Sequence, residues 1–231
     1  MDKYLTLWFS GPMQSWGYDS RFDTRRTLNF PTRSGITGIL LAASGASGPQ
    51  EDLLAELTEF PLTVYSFDDE NKLTLTDFHM VGNGYNDTQW EKMMSPKTSD
   101  GATPVGGGGK LTYRQYLLDR CFGAVWQMPE TICRKFSSAL QNPVFDLYLG
   151  RKCCVPAELI FQGMADTECD ALAKLIDLAG KHHLTLRYAY REVAGCGNDT
   201  DTILLADVPL RFGLHKVYGE RFVKKESLAE Q

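Results

Sequence analysis

Residues 11–41, GPMQSWGYDSRFDTRRTLNFPTRSGITGILL, limit what this chain can fold into more than any other stretch. They join two elements that the pattern defines well. Before them, Leu5, Leu7 and Phe9 alternate with Tyr4, Thr6 and Trp8, which predicts a strand with both faces at least partly covered, the odd face meeting the first helix. Trp8 is expected to sit beneath a C-terminal segment rather than to stack bases on an open sheet. Gly11 and Pro12 end the strand. After a polar and aromatic loop, Thr32 is a fitting N-cap, and Ile36, Ile39, Leu40 and Ala43 recur at the spacing of a helix core face. Between strand and helix stand Arg21, Arg25, Arg26 and, at the helix start, Arg33. Guanidinium groups so crowded need an anion or much water. Their planar fork matches phosphate, and a helix N-terminus adds unpaired N–H groups at the same place, so the segment is expected to bind phosphate. A solvated loop leading into a core helix is the plainer alternative.

Gly35, Gly38 and Ala42 form a smooth stripe beside the core face of that helix. Each glycine costs roughly 1 kcal/mol relative to alanine, so a packed element or an RNA backbone should lie against the stripe. Further on, residues 50–58 predict a short helix with Leu53, Leu54 and Leu57 inward, and 62–67 with 72–80 a hairpin around the acidic turn 68–71. Residues 110–119 and 121–128 alternate as two more strands, and 129–141 predict an amphipathic helix with Ile132, Cys133, Phe136 and Leu140 inward. This sequence of elements is that of a ferredoxin-like βαββαβ unit. Beyond Pro156 come strand 158–163, helix 169–180, strand 184–191 and two last strands, read as a smaller C-terminal sheet resting on the first unit with no linker between them.

The 231 residues, 43% hydrophobic and 23% charged, are those of an ordinary globular protein, with no apolar run near the roughly 20 residues of a membrane span and no signal-peptide plan. A cytoplasmic location is expected. Six cysteines without a Cys-x-x-Cys spacing predict reduced thiols rather than a disulfide scaffold or zinc site, and adjacent His182 and His183 make a poor metal pair. The net charge of -5 speaks against a free-standing, promiscuous nucleic-acid binder. Acidic residues gather at 51–59 and 68–70, whereas cations gather in the first loop, at Arg151-Lys152 and over 211–225, so one face is expected to be basic while another repels RNA; such a protein would bind RNA locally and depend on neighbouring subunits for the rest of the affinity.

The order of these segments resembles a known family. The strand, then Gly11-Pro12-Met13-Gln14-Ser15-Trp16-Gly17, the arginine loop and Phe30-Pro31-Thr32-Arg33-Ser34-Gly35 resemble the opening of the CasD family, the small backbone subunit of the type I-E CRISPR surveillance complex Cascade. Tyr113-Arg114-Gln115-Tyr116-Leu117 and Tyr148-Leu149-Gly150-Arg151-Lys152-Cys153 continue it in family order. The resemblance implies an α+β, RRM-like (RAMP-type) protein with a ferredoxin-like RNA-binding unit over 1–147 and a β-rich subdomain over 148–231. It further implies a thumb-like arm in the roughly 30 residues from 81 to 110, which exceed the usual connection length of about 4–6. Trp90, Met93 and Met94 would form the arm's apolar tip, although the run Gly106–Gly109 departs from the family pattern.

By this resemblance the chain, without catalysis, cofactor or metal, would hold the 5′ handle of the guide crRNA and cap a row of backbone subunits. It would adjoin a neighbouring backbone subunit and the large subunit, and meet target DNA through the complex. Arg25, Arg26, Arg33, Arg151 and Lys152 would neutralise phosphates, with Ser34 and Gly150 close to the backbone; Gln14, Trp16, Arg114 and Tyr148 would contact bases or sugars. The competing reading is a metal-independent endoribonuclease that processes precursor crRNA. That chemistry needs a general base and acid, and His79 at the base of the arm is the histidine to watch. Nucleotide-enzyme patterns are missing: Gly106–Lys110 continues with Leu-Thr and fails the phosphate-loop motif.

Overall fold

The N-terminal alternation becomes β1 (Asp2–Gln14), whose two faces are closed by different helices. A computed structural model describes residues 1–18, 20, 23–67, 73–81, 110–195 and 200–228. Short strands β2 (Trp16–Gly17), β3 (Thr24–Arg25) and β4 (Thr27–Leu28) shape the first loop, followed by α1 (Arg33–Ala43), α2 (Glu51–Thr58), β5 (Leu62–Ser66), β6 (Thr74–Val81) and β7 (Lys110–Pro129). Then come α3 (Glu130–Gln141), β8 (Phe161–Ala165), α4 (Glu168–Lys181), β9 (Tyr188–Val193), β10 (Thr202–Arg211) and β11 (Val217–Ser227).

Leu5, Leu7 and Phe9 join Ile36, Ile39 and Leu40 of α1 and Ile132, Phe136 and Leu140 of α3 in the larger core. Trp8, on the other face, packs with Phe67 at 5.2 Å and with Ala171, Leu175 and Ala179 of α4. The even face of β1 is therefore shut by a C-terminal helix. Thr32 caps α1 as its sequence suggests, its hydroxyl accepting from the Gly35 N–H at 3.1 Å.

Among the described residues the main sheet has nine strands, in the path β10-β11-β9-β5-β7-β1-β8, with β3 and β6 also paired to β7. β1 runs past Gly11 and Pro12, the expected end of the strand, to Gln14, which pairs with Leu117 of β7. Two further expectations change here. The segments 62–67 and 72–80 do not form a hairpin with each other: β5 pairs with residues 122–126 of β7 and β6 with residues 110–117. The physical reason is that 110–128 is one long strand, turned by a left-handed residue at Asp119 (φ 48°), and its two halves recruit different partners. The second is the separate C-terminal sheet. β8 instead pairs with β1 and β9 with β5, so the last strands extend the first sheet on both sides across the 147/148 boundary.

A polar knot fastens α4 to this sheet. Glu168 accepts from the Tyr65 hydroxyl at 2.6 Å and from Arg191 at 2.5 Å, and Arg191 also reaches Glu226 at 3.1 Å. Burial pushes the Glu168 carboxyl upward, but Tyr65 and Arg191 outweigh it and hold it below its ordinary 4.5. A carboxylate with a depressed folded pKa contributes stability that is fully present above 4.5 and is lost as pH falls through the folded value. Glu168→Gln is therefore expected to lower stability at neutral pH and to flatten the decline below about pH 4.5, as read from urea midpoints across pH. An acid limb of unchanged steepness would remove Glu168 as its cause.

Candidate nucleic-acid interface

The first loop and the turn after α3 meet. The Ser15 N–H donates to Leu149 O at 3.0 Å, and the Arg151 guanidinium donates to Arg25 O and Gln115 O, each at 3.2 Å, while lying 4.7 Å over the Tyr116 ring. Gly150 makes this contact possible. It has φ +96°, and a Cβ there would stand 1.8 Å from Ser15 O, so its freedom serves a protein–protein approach. Gly11 does the same for the returning chain, its Cβ position lying 2.8 Å from Val155 O.

The joined loops form one wall of a groove of about 790 Å³. Its floor is the smooth stripe of α1, Ser34, Gly35, Gly38 and Ala42. The stripe's occupant differs along its length: a Cβ at Gly35 would come 2.8 Å from the Trp16 ring, whereas one at Gly38 meets nothing within 4 Å and points at open groove. The other wall is the end of the β10–β11 hairpin, with Phe212, Lys216 and Tyr218. Arg151, Lys152 and Lys216 face a single carboxylate, Asp146, among the lining residues, so the groove is locally basic in a chain of net charge -5. Burial raises the Tyr218 phenol pKa, as expected for a ring in a partly dry cleft.

Of the predicted site residues, Ser34, Tyr148, Gly150, Arg151 and Lys152 line this groove, and Trp16 borders it from within the core. Arg25 and Arg114 lie beside it as registered neighbours on β3 and β7, both half-buried, and Arg26 is exposed. Three predictions need correction. Arg33 is 2% exposed and is held inside by an ion pair to Glu192, by Leu57 O at 2.5 Å and by Phe60 O at 3.0 Å. Asp207 accepts from the Arg33 backbone N–H at 2.7 Å and is itself gripped by Arg221 through two bonds of 2.6 and 2.7 Å. The anion at the start of α1 is thus the protein's own carboxylate, and neither the Arg33 side chain nor its backbone N–H is open to phosphate.

Gln14 is fully buried, donating to Phe9 O and Arg120 O and accepting from Trp16 Nε1 at 3.0 Å. The Trp16 ring, also fully buried and 5.4 Å from Phe9, has no face for a base. Trp90, Met93 and Met94, like Arg21, lie outside the described residues. Phe212 and Tyr218 are not among the residues expected from the sequence, whereas Lys216 falls within its basic stretch 211–225. Their signal was present in Phe212-Gly213-Leu214-His215-Lys216-Val217-Tyr218, an aromatic and basic hairpin end.

Residues 4–224 match the family model described as CRISPR-associated protein (Cas_Cas5). The chain belongs to the Cas5 family of CRISPR-associated proteins. Within it, the chain is 31% identical over 173 residues to the CRISPR system Cascade subunit CasD of Escherichia coli (strain K12), covering 71% of each. A solved structure titled CRISPR RNA-guided surveillance complex contains a chain that superposes with a TM-score of 0.72 at 27% identity, over 97% of this chain and 89% of that one. A second, titled Crystal structure of Cas protein, shares the fold with a TM-score of 0.65 at 24% identity, over 97% and 94%. As in these Cas structures, this Cas5 chain is a mixed α/β protein built on a large antiparallel sheet, and no described helix is long and apolar enough to cross a membrane.

Proposed function

We propose that this protein is the Cascade subunit that binds the 5′ handle of the guide RNA in the groove between its first loop and its glycine-basic turn, and so caps the backbone of the complex. The observation that carries this is the convergence of those two segments, 126 residues apart at the Arg151–Arg25 contact, on one basic groove. Similarity to a subunit named for Cascade supports the setting. The order β8-β1-β7-β5, with α1 and α3 in the connections, supports a ferredoxin-like reading whose last strand, β8, comes from beyond residue 147. A single-stranded RNA backbone needs cations along its path and little base discrimination from them. Arg26, Lys152 and Lys216 supply exposed charge, and Arg25, Arg114 and Arg151 supply half-buried charge beside it.

The pairing of β6 with β7 supports a protein neighbour at the arm. Phe78 faces Tyr113 and Met80 faces Leu111, and all four are exposed on one side, at 57, 44, 59 and 46%. An apolar face of that kind suits a subunit contact.

Arg26→Glu with Lys152→Glu tests the groove. Both side chains are exposed, so the fold should stay within about 0.5 kcal/mol of the parent. Affinity for labelled repeat RNA at low salt is expected to fall about ten-fold or more, with the slope of log K against log salt reduced by about 2. An unaltered slope and affinity would defeat the reading. Cleavage of the same RNA in EDTA would replace it with the endoribonuclease account.

A further inference from the structure

Phosphate binding uses the cations of the groove and leaves two of its features without a purpose. The first is the set of aromatic rings. Phe145 and Tyr148 come from the turn, Phe212 and Tyr218 from the hairpin end, and Phe145 and Tyr218 stay 53% and 41% exposed. A site for phosphate alone would not need 790 Å³ or this apolar surface; the volume falls within the roughly 300–1,000 Å³ of sites that enclose small organic ligands. The second is Asp146. A carboxylate among Arg151, Lys152 and Lys216 repels a phosphate, yet it is exposed to the groove and engaged there by the Tyr148 hydroxyl at 3.3 Å.

Together the two features describe a base. We propose that the groove seats one unstacked base against its aromatic rings and that Asp146 reads that base by accepting from its amino edge. This rests on the RNA-binding reading above and adds to it a choice of base. Adenine and cytosine offer an exocyclic amino group, and guanine offers N1–H beside its amino group, so each can donate to a carboxylate. Uracil has one N–H between two carbonyl oxygens, and those oxygens meet a carboxylate as like charge meets like. The seat therefore takes amino-bearing bases and refuses uracil.

The test uses the full chain at low salt with fluorescein-labelled RNA octamers A8, C8 and U8, read by anisotropy. A8 and C8 should bind about ten-fold more tightly than U8, the expected weight of a hydrogen bond to a charged acceptor. Asp146→Asn should close most of that gap, because an amide can also donate to uracil's carbonyls. Tyr218→Ala should weaken all the octamers by about ten-fold, with Tyr218→Phe restoring the loss, since stacking needs the ring and not the hydroxyl. Equal binding of U8 and C8, an undiminished gap in Asp146→Asn, or an indifferent Tyr218→Ala overturns the seat. Lys152→Glu separates the layers. If it weakens every octamer while the base gap is missing, only the seat fails. If it changes nothing, or the parent chain binds no octamer, the RNA-binding reading fails and the seat with it.

Discussion

Replacing Arg33 with methionine is expected to destabilise the fold by about 3–5 kcal/mol, the cost of breaking a buried ion pair from one side. The Arg33 and Asp207 side chains are each 3% exposed, Arg221 is 9% and Glu192 is 19%, so solvent screens the network little. In the native protein two guanidiniums balance two carboxylates. Burial pulls the Arg221 pKa down, but Asp207 and Glu192 outweigh it and raise it overall. Without Arg33, Arg221 alone must serve both carboxylates, and Leu57 O and Phe60 O lose a donor. For a chain of this size the loss corresponds to a fall in Tm on the order of 10 °C. Arg26→Glu, measured alongside, should leave Tm nearly unchanged. The contrast separates the buried structural arginine from the exposed one proposed to meet RNA. A methionine variant with the parent's urea midpoint and reduced RNA affinity would return Arg33 to the phosphate site.

Why the sequence reading misplaced Arg33 is itself physical. A guanidinium fork fits a carboxylate as well as a phosphate, and the pattern around residue 33 does not say which will arrive. The deciding partners, Glu192 and Asp207, lie 159 and 174 positions away. Gln14 was misjudged for the same reason, since its acceptor at Arg120 is 106 positions distant. Local patterns carried further: the Thr32 cap, the core stripes of α1 and α3 and the two-faced β1 follow from periodicity and capping chemistry alone. Strand pairing did not, because β5 and β6 look like hairpin partners until β7 is seen to run past both. The groove was half legible. Its glycine-basic wall showed in Tyr148–Lys152, whereas the hairpin wall depends on β10 reaching α1 and α2, which only the assembled sheet decides.

Gly150→Ala is expected to cost about 3 kcal/mol or more, and to weaken RNA binding in the molecules that still fold. Two penalties coincide at this position. The φ of +96° lies where a residue with a Cβ is strained by about 1–3 kcal/mol, and the added carbon would stand 1.8 Å from Ser15 O. That oxygen is backbone, in a residue whose N–H is already bonded to Leu149 O, so no side-chain rotation relieves the overlap. Either the turn or the segment from Gln14 to Gly17 must move, and the groove wall they share moves with them. Gly38→Ala makes the opposite case on the same groove. Its new methyl meets nothing within 4 Å, and alanine in a helix interior is better by up to about 1 kcal/mol, so stability should rise. If RNA lies along the stripe, that methyl takes space from it, and affinity should fall as stability increases. Loss of both properties at Gly150 and their separation at Gly38 would follow only if the first glycine joins two pieces of protein and the second leaves room for a ligand. A Gly150→Ala protein with the parent's unfolding midpoint would mean that the two loops are not locked together in solution, and the groove built on their contact would lose its wall.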